Sequence, residues 1–216
     1  MNGEKSMEES SKQELFRQMD EHLVKDEIPS QFYNQLLKKK EFQEYPFNLL
    51  YALSKTEQSP VYHPEGNAWI HTMMVIDEAA KVKKMSSNER KFMWGALLHD
   101  IGKPETTRLR KGRITSYGHD EHGKKLAKEF LNEFQCDREF MIDVATFVEY
   151  HMHILYVLKN MEFARAKNLL EDAEVKDVAL LGWCDRMGRL GADPEKEKKQ
   201  IEEFYKKMVF IDSDKS

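Results

Sequence analysis

The strongest constraint on this chain is the segment Trp94-Gly-Ala-Leu-Leu-His-Asp-Ile-Gly-Lys-Pro104, where an apolar stretch ends on an adjacent imidazole and carboxylate, His99 and Asp100. Burying such groups is costly unless something pairs with them, and a metal ion is the simplest partner. Neighbouring residues of a helix point about 100° apart. His99 and Asp100 therefore meet one ion only at their shared edge, and the remaining ligands must come from other segments. A helical bundle supplies them from facing helices.

The rest of the chain reads as such a bundle. Leu15, Phe16, Met19 and Leu23 recur at helical spacing between Gln13 and Lys25. Ser30 is placed to cap a helix carrying Phe32, Tyr33, Leu36 and Leu37, and a third helix holds Phe47, Leu50 and Leu53. Asn67 is expected to cap a helix from Ala68 to about Met85, and Ser86 with Glu89 forms a capping-box pattern for the helix that ends at His99-Asp100. Further helices are expected at 120–135, 138–152, 162–171, 174–190 and 194–208, with Asp137 and Asp193 near helix starts, where acidic residues suit the dipole. Residues 104–118 are the one plausible strand region, with a short β-hairpin near 107–116. The expected fold is all-α, divided into a frayed tail (1–12), an N-terminal helical extension (13–58), the main domain (59–192) and a C-terminal helix and tail (193–216).

Composition narrows the function. A net charge of −4 gives no general basic field for nucleic acid. Cys136 and Cys184 lack CxxC spacing, which argues against a disulfide framework and for a reducing compartment. No apolar run approaches the roughly 20 residues of a membrane span. A soluble cytoplasmic protein without a membrane partner is expected.

Six of the eight histidines fall between His71 and His153. His119 and His122 lie in Tyr117-Gly-His-Asp-Glu-His-Gly123, and His151 and His153 in Val148-Glu-Tyr-His-Met-His153. Asp185 lies in Leu181-Gly-Trp-Cys-Asp-Arg-Met-Gly-Arg189. Imidazole and carboxylate donors suit divalent Mn, Fe, Co, Ni, Zn and sometimes Mg. The absence of thiolate ligands argues against a structural zinc site of the cysteine type.

The order His71, His99-Asp100, Asp185 resembles the HD-domain metal-dependent phosphohydrolases. Four stretches sharpen the resemblance to the HD region of bacterial CCA-adding tRNA nucleotidyltransferases. They are His63-Pro-Glu-Gly-Asn-Ala-Trp-Ile-His71, His99-Asp-Ile-Gly-Lys-Pro104 with Thr107-Arg108, Gly118-His119 with Gly123, and Asp185-Arg-Met-Gly-Arg189. The resemblance covers roughly residues 60–190 and implies an HD-domain helical bundle. It implies that His71, His99, Asp100 and Asp185 hold a first divalent ion. A second ion would be bridged by Asp100 and held by His119 and His151, with His122 and His153 close enough to leave that register open. Asp100 and Lys103 are the candidate catalytic residues: Lys103 lies one helical turn past His99 and reads as a phosphate clamp, and Arg108, Arg186 and Arg189 are candidate substrate contacts because guanidinium suits bidentate phosphate binding. The implied reaction is hydrolysis of small phosphate mono- or diesters by metal-activated water, with nucleotides or RNA ends favoured. The activities would be of the 2′,3′-cyclic phosphodiesterase, 2′-nucleotidase or phosphatase kind. The basic loop at 104–118 would flank the pocket. The one Asp-x-Asp, Asp212-Ser-Asp214, lies in a polar tail, so the chain reads as a hydrolase module without a nucleotidyltransferase centre. Two other readings use the same residues: a di-iron HD-type oxygenase, and a non-catalytic HD ligand-binding module.

Overall fold

The computed structural model describes residues 2–161 and 164–213. Its helices are α1 (Asn2–Lys25), α2 (Ser30–Leu36), α3 (Asn48–Tyr51), α4 (Ala68–Val82), α5 (Glu89–Leu98), α6 (Lys103–Thr106), α7 (His119–Glu133), α8 (Arg138–Tyr150), α9 (His153–Leu158), α10 (Ala166–Asp172), α11 (Val175–Met187) and α12 (Pro194–Ser213). The hairpin pairs β1 (Arg108–Arg110) with β2 (Arg113–Thr115), antiparallel, Arg108 opposite Thr115. Lys111 and Gly112 make its turn with φ of 49° and 72°. Positive φ at both central residues matches the twist of a two-residue hairpin loop. Among the described residues no helix is long and apolar enough to cross a membrane.

α5 is the central element. Every residue from Phe92 to Leu98 is buried, as expected of a helix that is apolar all round. It packs against α1, α4, α8 and α11. The amphipathic stripe of α1 closes one side of this core, with Phe16 stacked on Trp94 and Phe134 at centroid distances of 4.9 and 4.1 Å. Asp20 accepts from both Trp94 Nε1 (2.6 Å) and Arg90 Nε (2.8 Å), pinning α1 to α5. A smaller core holds Tyr150, Ile154, Val157, Leu169, Val178, Phe204 and Met208, where α9, α10, α11 and α12 meet.

Several local expectations change. α1 begins at Asn2 rather than at Gln13, because the stretch expected to fray is rich in Glu, Lys and Met, all good helix formers. Ser30 does not cap α2. Its backbone N–H and hydroxyl both donate to Asp77 of α4, at 3.0 and 2.6 Å. The Ser86–Glu89 capping box does not form either. Ser86 Oγ donates to the Lys83 carbonyl at 2.6 Å, and Asn88 accepts from Lys91 N–H at 3.0 Å as the cap of α5. Asn67, Asp137 and Asp193 do cap, accepting from Ile70, Glu139 and Glu195 N–H at 3.0, 2.8 and 3.1 Å. The helix expected at 162–171 is α10, which starts at Ala166, and residues 162 and 163 lie outside the described residues. α9 was not expected from the periodicity.

The turn from His99 to Gly102 lies directly on the first turn of α7. A Cβ at Gly102 would stand 2.1 Å from the His119 carbonyl oxygen and 2.7 Å from Gly123 N, both backbone atoms with no rotamer to move. Gly102→Ala is therefore expected to destabilise by about 3 kcal/mol, lowering the midpoint of thermal unfolding by about 6–12 °C. Gly112→Ala meets nothing within 4 Å and should cost only the strain of its positive φ, about 1 kcal/mol. Circular dichroism melts of the two variants check the contrast.

Candidate metal centre

Five segments bring their side chains together at the end of α5. His99 and Asp100 follow its last turn, His71 stands in α4, His119 opens α7, His151 follows α8 and Asp185 lies near the end of α11. All six are buried. Asp100 is the meeting point. Its Oδ2 lies 3.3 Å from His99 Nε2 and 4.0 Å from His71 Nε2, while its Oδ1 lies 3.4 Å from His119 Nε2 and 3.8 Å from His151 Nε2. Asp185 Oδ1 stands 2.9 Å from His71 Nε2.

The backbone sets the tautomers. His99, His119 and His151 each turn Nδ1 to the carbonyl three residues earlier: Ala96 at 2.7 Å, Ser116 at 2.7 Å and Val148 at 2.6 Å. A carbonyl only accepts, so Nδ1 carries the proton in all three rings and each Nε2 presents a lone pair to the centre. Two consequences follow. His99 Nε2 is buried without a hydrogen-bond donor and faces a carboxylate oxygen. His119 Nε2 and His151 Nε2 face one another at 3.1 Å, two acceptors with no proton between them. Such facing lone pairs are stable together only around a shared cation, and nitrogen and oxygen donors of this kind suit a divalent metal. Three overlapping groups have ligand atoms within 4.8 Å of one another, the half-buried His63–Glu65–His71 and the fully buried His71–His99–Asp100 and Asp100–His119–His151.

The electrostatics agree with this geometry. Burial alone would raise the pKa of Asp100, but the neighbouring His99 and the ammonium of Lys103 hold it well below the usual carboxylate range. Burial would likewise raise Asp185, and Arg189 and His71 hold it low. Burial above all, in a cluster shared with His119 and His99, pushes His151 down to about 3, and burial also lowers His119. Both rings are thus neutral near pH 7, the form that ligates.

The structure separates the paired candidates. His122 is half-exposed and bonded to Glu105 at 2.8 Å, and His153 packs between Tyr150 and Tyr156, ring centroids 4.6 and 5.4 Å away. Lys103 Nζ sits 2.6 Å from Asp100 Oδ2 and donates to Gln58 Oε1 at 2.5 Å. Arg189 Nη2 meets both oxygens of Asp185, at 3.1 and 2.9 Å. Arg186 departs from expectation. It donates to Glu197 and Gln200 of α12, at 2.9 and 2.5 Å, because the residue after Asp185 on a helix faces another direction. Arg108 is exposed on the hairpin and bonded to the Thr107 carbonyl at 2.7 Å.

Two residues at this site were not read from the sequence. The Glu65 side chain is only 2% exposed, and its Oε1 lies 2.9 Å from His63 Nδ1 and 3.0 Å from His71 Nδ1. Its Oε2 accepts from Leu190 N–H at 3.3 Å. Burial would raise its pKa, yet His71 and His63 hold it at about 2. Burial and the nearby Lys103 keep His63 down at about 4. The signal for Glu65 was its place ahead of the Asn67 cap, which starts the helix carrying His71. Gln58 stands in a loop and had no pattern to mark it.

An all-α bundle that buries four imidazoles around one aspartate belongs to the class of histidine–aspartate metal-centre proteins. The family model of the HD domain matches residues 68–187, and the chain belongs to that family, within the metal-dependent phosphohydrolase superfamily. The curated relatives it matches carry the name Multifunctional CCA protein. That of Actinobacillus pleuropneumoniae serotype 5b (strain L20) is 30% identical over 152 residues, covering 67% of this chain and 36% of the relative. That of Halorhodospira halophila is 39% identical over 103 residues, 47% of this chain and 23% of the relative. The chain thus spans from just under a quarter to a little over a third of the length of these relatives.

Glu65→Gln is expected to weaken divalent-metal affinity by about 10–100-fold, the usual effect of losing a carboxylate behind a ligating histidine. His122→Ala should leave affinity unchanged. Competition titration against a chelating dye compares the two.

Proposed function

We propose that this chain is a metal-dependent phosphohydrolase acting on small phosphate mono- or diesters, with nucleotides favoured among them. The observation that carries the reading is Asp100. Each of its oxygens faces a separate pair of imidazole nitrogens, and the ammonium of Lys103 lies against Oδ2 at 2.6 Å. His71, His99, Asp100 and Asp185 would hold one ion, with Asp100, His119 and His151 holding a second. Bound there, divalent ions lower the pKa of water and neutralise phosphoryl oxygens.

The chain's own residues supply the rest. Asp100 ties the two halves together. Lys103, fixed between Asp100 and Gln58 and almost fully buried, presents positive charge where a phosphoryl group would gather negative charge. Arg189 keeps the Asp185 carboxylate ionised and aimed at His71, and Glu65 fixes the ring plane of His71. The resemblance to the HD region of CCA-adding nucleotidyltransferases supports 2′,3′-cyclic phosphodiesters, 2′-nucleotides and simple phosphomonoesters as substrates.

The test is hydrolysis of 2′,3′-cyclic AMP, 2′-AMP, 5′-AMP and an aryl phosphate with added Mn, Co, Ni or Mg, on protein whose metal content has been measured. Asp100→Ala is expected to abolish turnover while keeping the helical circular dichroism spectrum. Lys103→Ala should lower kcat by about 10²–10³-fold, as loss of a charge-stabilising donor does. Hydrolysis retained by metal-loaded Asp100→Ala protein would overturn the proposal. Oxygen consumption by iron-loaded protein that hydrolyses none of these esters would replace it with oxygenase chemistry.

A further inference from the structure

The hairpin stands between two residues of the centre, Lys103 before it and His119 after it. Residues 107–117 carry Arg108, Arg110, Lys111 and Arg113 and no carboxylate, on a chain whose net charge is −4. The pairing sets Leu109 opposite Ile114 and Arg110 opposite Arg113. Side chains alternate across a strand, so Arg108, Arg110 and Arg113 share one face and Leu109 and Ile114 the other.

That face is electrostatically unfavourable as it stands. Like charges directly opposite destabilise a ladder, and among the described residues no ion pair relieves these four cations. Arg110 lies 5.2 Å over the ring of Tyr117, and Tyr117 is 70% exposed. A cationic ribbon with an uncovered aromatic beside it has the two elements by which proteins hold single-stranded nucleic acid, charge for the backbone and a ring for the bases. Arg108 and Arg110 are two residues apart, about 6.6 Å along the strand, a step comparable with that between phosphates of an extended strand. An acidic peptide would answer the charge but leave the aromatic unused.

We propose that the hairpin docks single-stranded nucleic acid, with the backbone along Arg108, Arg110 and Arg113 and a base on Tyr117, so that the end of the strand reaches the metal centre. Only that last step rests on the phosphohydrolase reading. The hairpin thereby selects, among the nucleotides and RNA ends that the resemblance implies, the ends of polynucleotides.

The test is fluorescence anisotropy of a labelled oligouridylate RNA titrated with the full chain over a range of salt. With three arginines neutralising phosphates, log affinity should fall against log salt with a slope of about −2. Arg110→Ser combined with Arg113→Ser should weaken binding at least tenfold and bring the slope to about −0.7, at an unchanged melting temperature. Tyr117→Ala should weaken binding at least fivefold, in line with lost stacking, while Tyr117→Phe binds as wild type. An unchanged slope in the double variant, or no RNA binding by wild type at low salt, would overturn the proposal. Equal affinity for a polyglutamate peptide with Tyr117→Ala neutral would overturn it in favour of a peptide site. RNA binding by protein that hydrolyses no ester supports the docking face and removes the hydrolase reading.

Discussion

A buried carboxylate at the meeting point of five segments governs this structure. Asp100 is 1% exposed, and its ionised form survives there only because cationic and metal-ligating groups surround it. The surrounding groups must in turn be held at fixed positions, since an imidazole turned away would leave the charge unpaired. The fold meets this demand with helix ends. Three of the four imidazoles are tied through Nδ1 to their own local backbone, so each ring is oriented by a few residues of its own segment. Packing of the bundle then has only to place whole segments, with the ring orientations already set.

The placing is done by close contacts rather than by long side chains. Gly102 allows the turn after α5 to lie on the start of α7, which sets Asp100 against His119. α1 and α12 hold the bundle at its two separate cores, α1 through Asp20 and Phe16, α12 through Phe204 and Met208. The N-terminal helix is thus part of the main core.

Much of this was legible in the sequence. The apolar run into His99-Asp100 marked the buried end of the central helix, and the stripe of Leu15, Phe16, Met19 and Leu23 marked the face that α1 buries. The hairpin was readable from its Lys111-Gly112 turn. The misreadings share one cause: short polar residues such as Ser30 and Ser86 satisfy several local patterns, and tertiary partners choose among them. Ser30 found Asp77, forty-seven residues away, and spacing does not reveal such a contact. Glu65 and Gln58 were hidden for a similar reason, because each acts through another residue across a loop. Arg186 was misplaced by proximity. Adjacent positions on a helix diverge, and only its neighbour Asp185 turns toward the centre.

That divergence has a mechanical consequence. Asp185 and Arg186 are consecutive in α11, one reaching His71 in the interior and the other gripping Glu197 and Gln200 on α12. A roll of α11 about its axis moves both grips together. The C-terminal helix and the carboxylate at the centre are therefore joined through two consecutive residues, so the seat of α12 and the aim of Asp185 at His71 are set by one and the same rotation of α11.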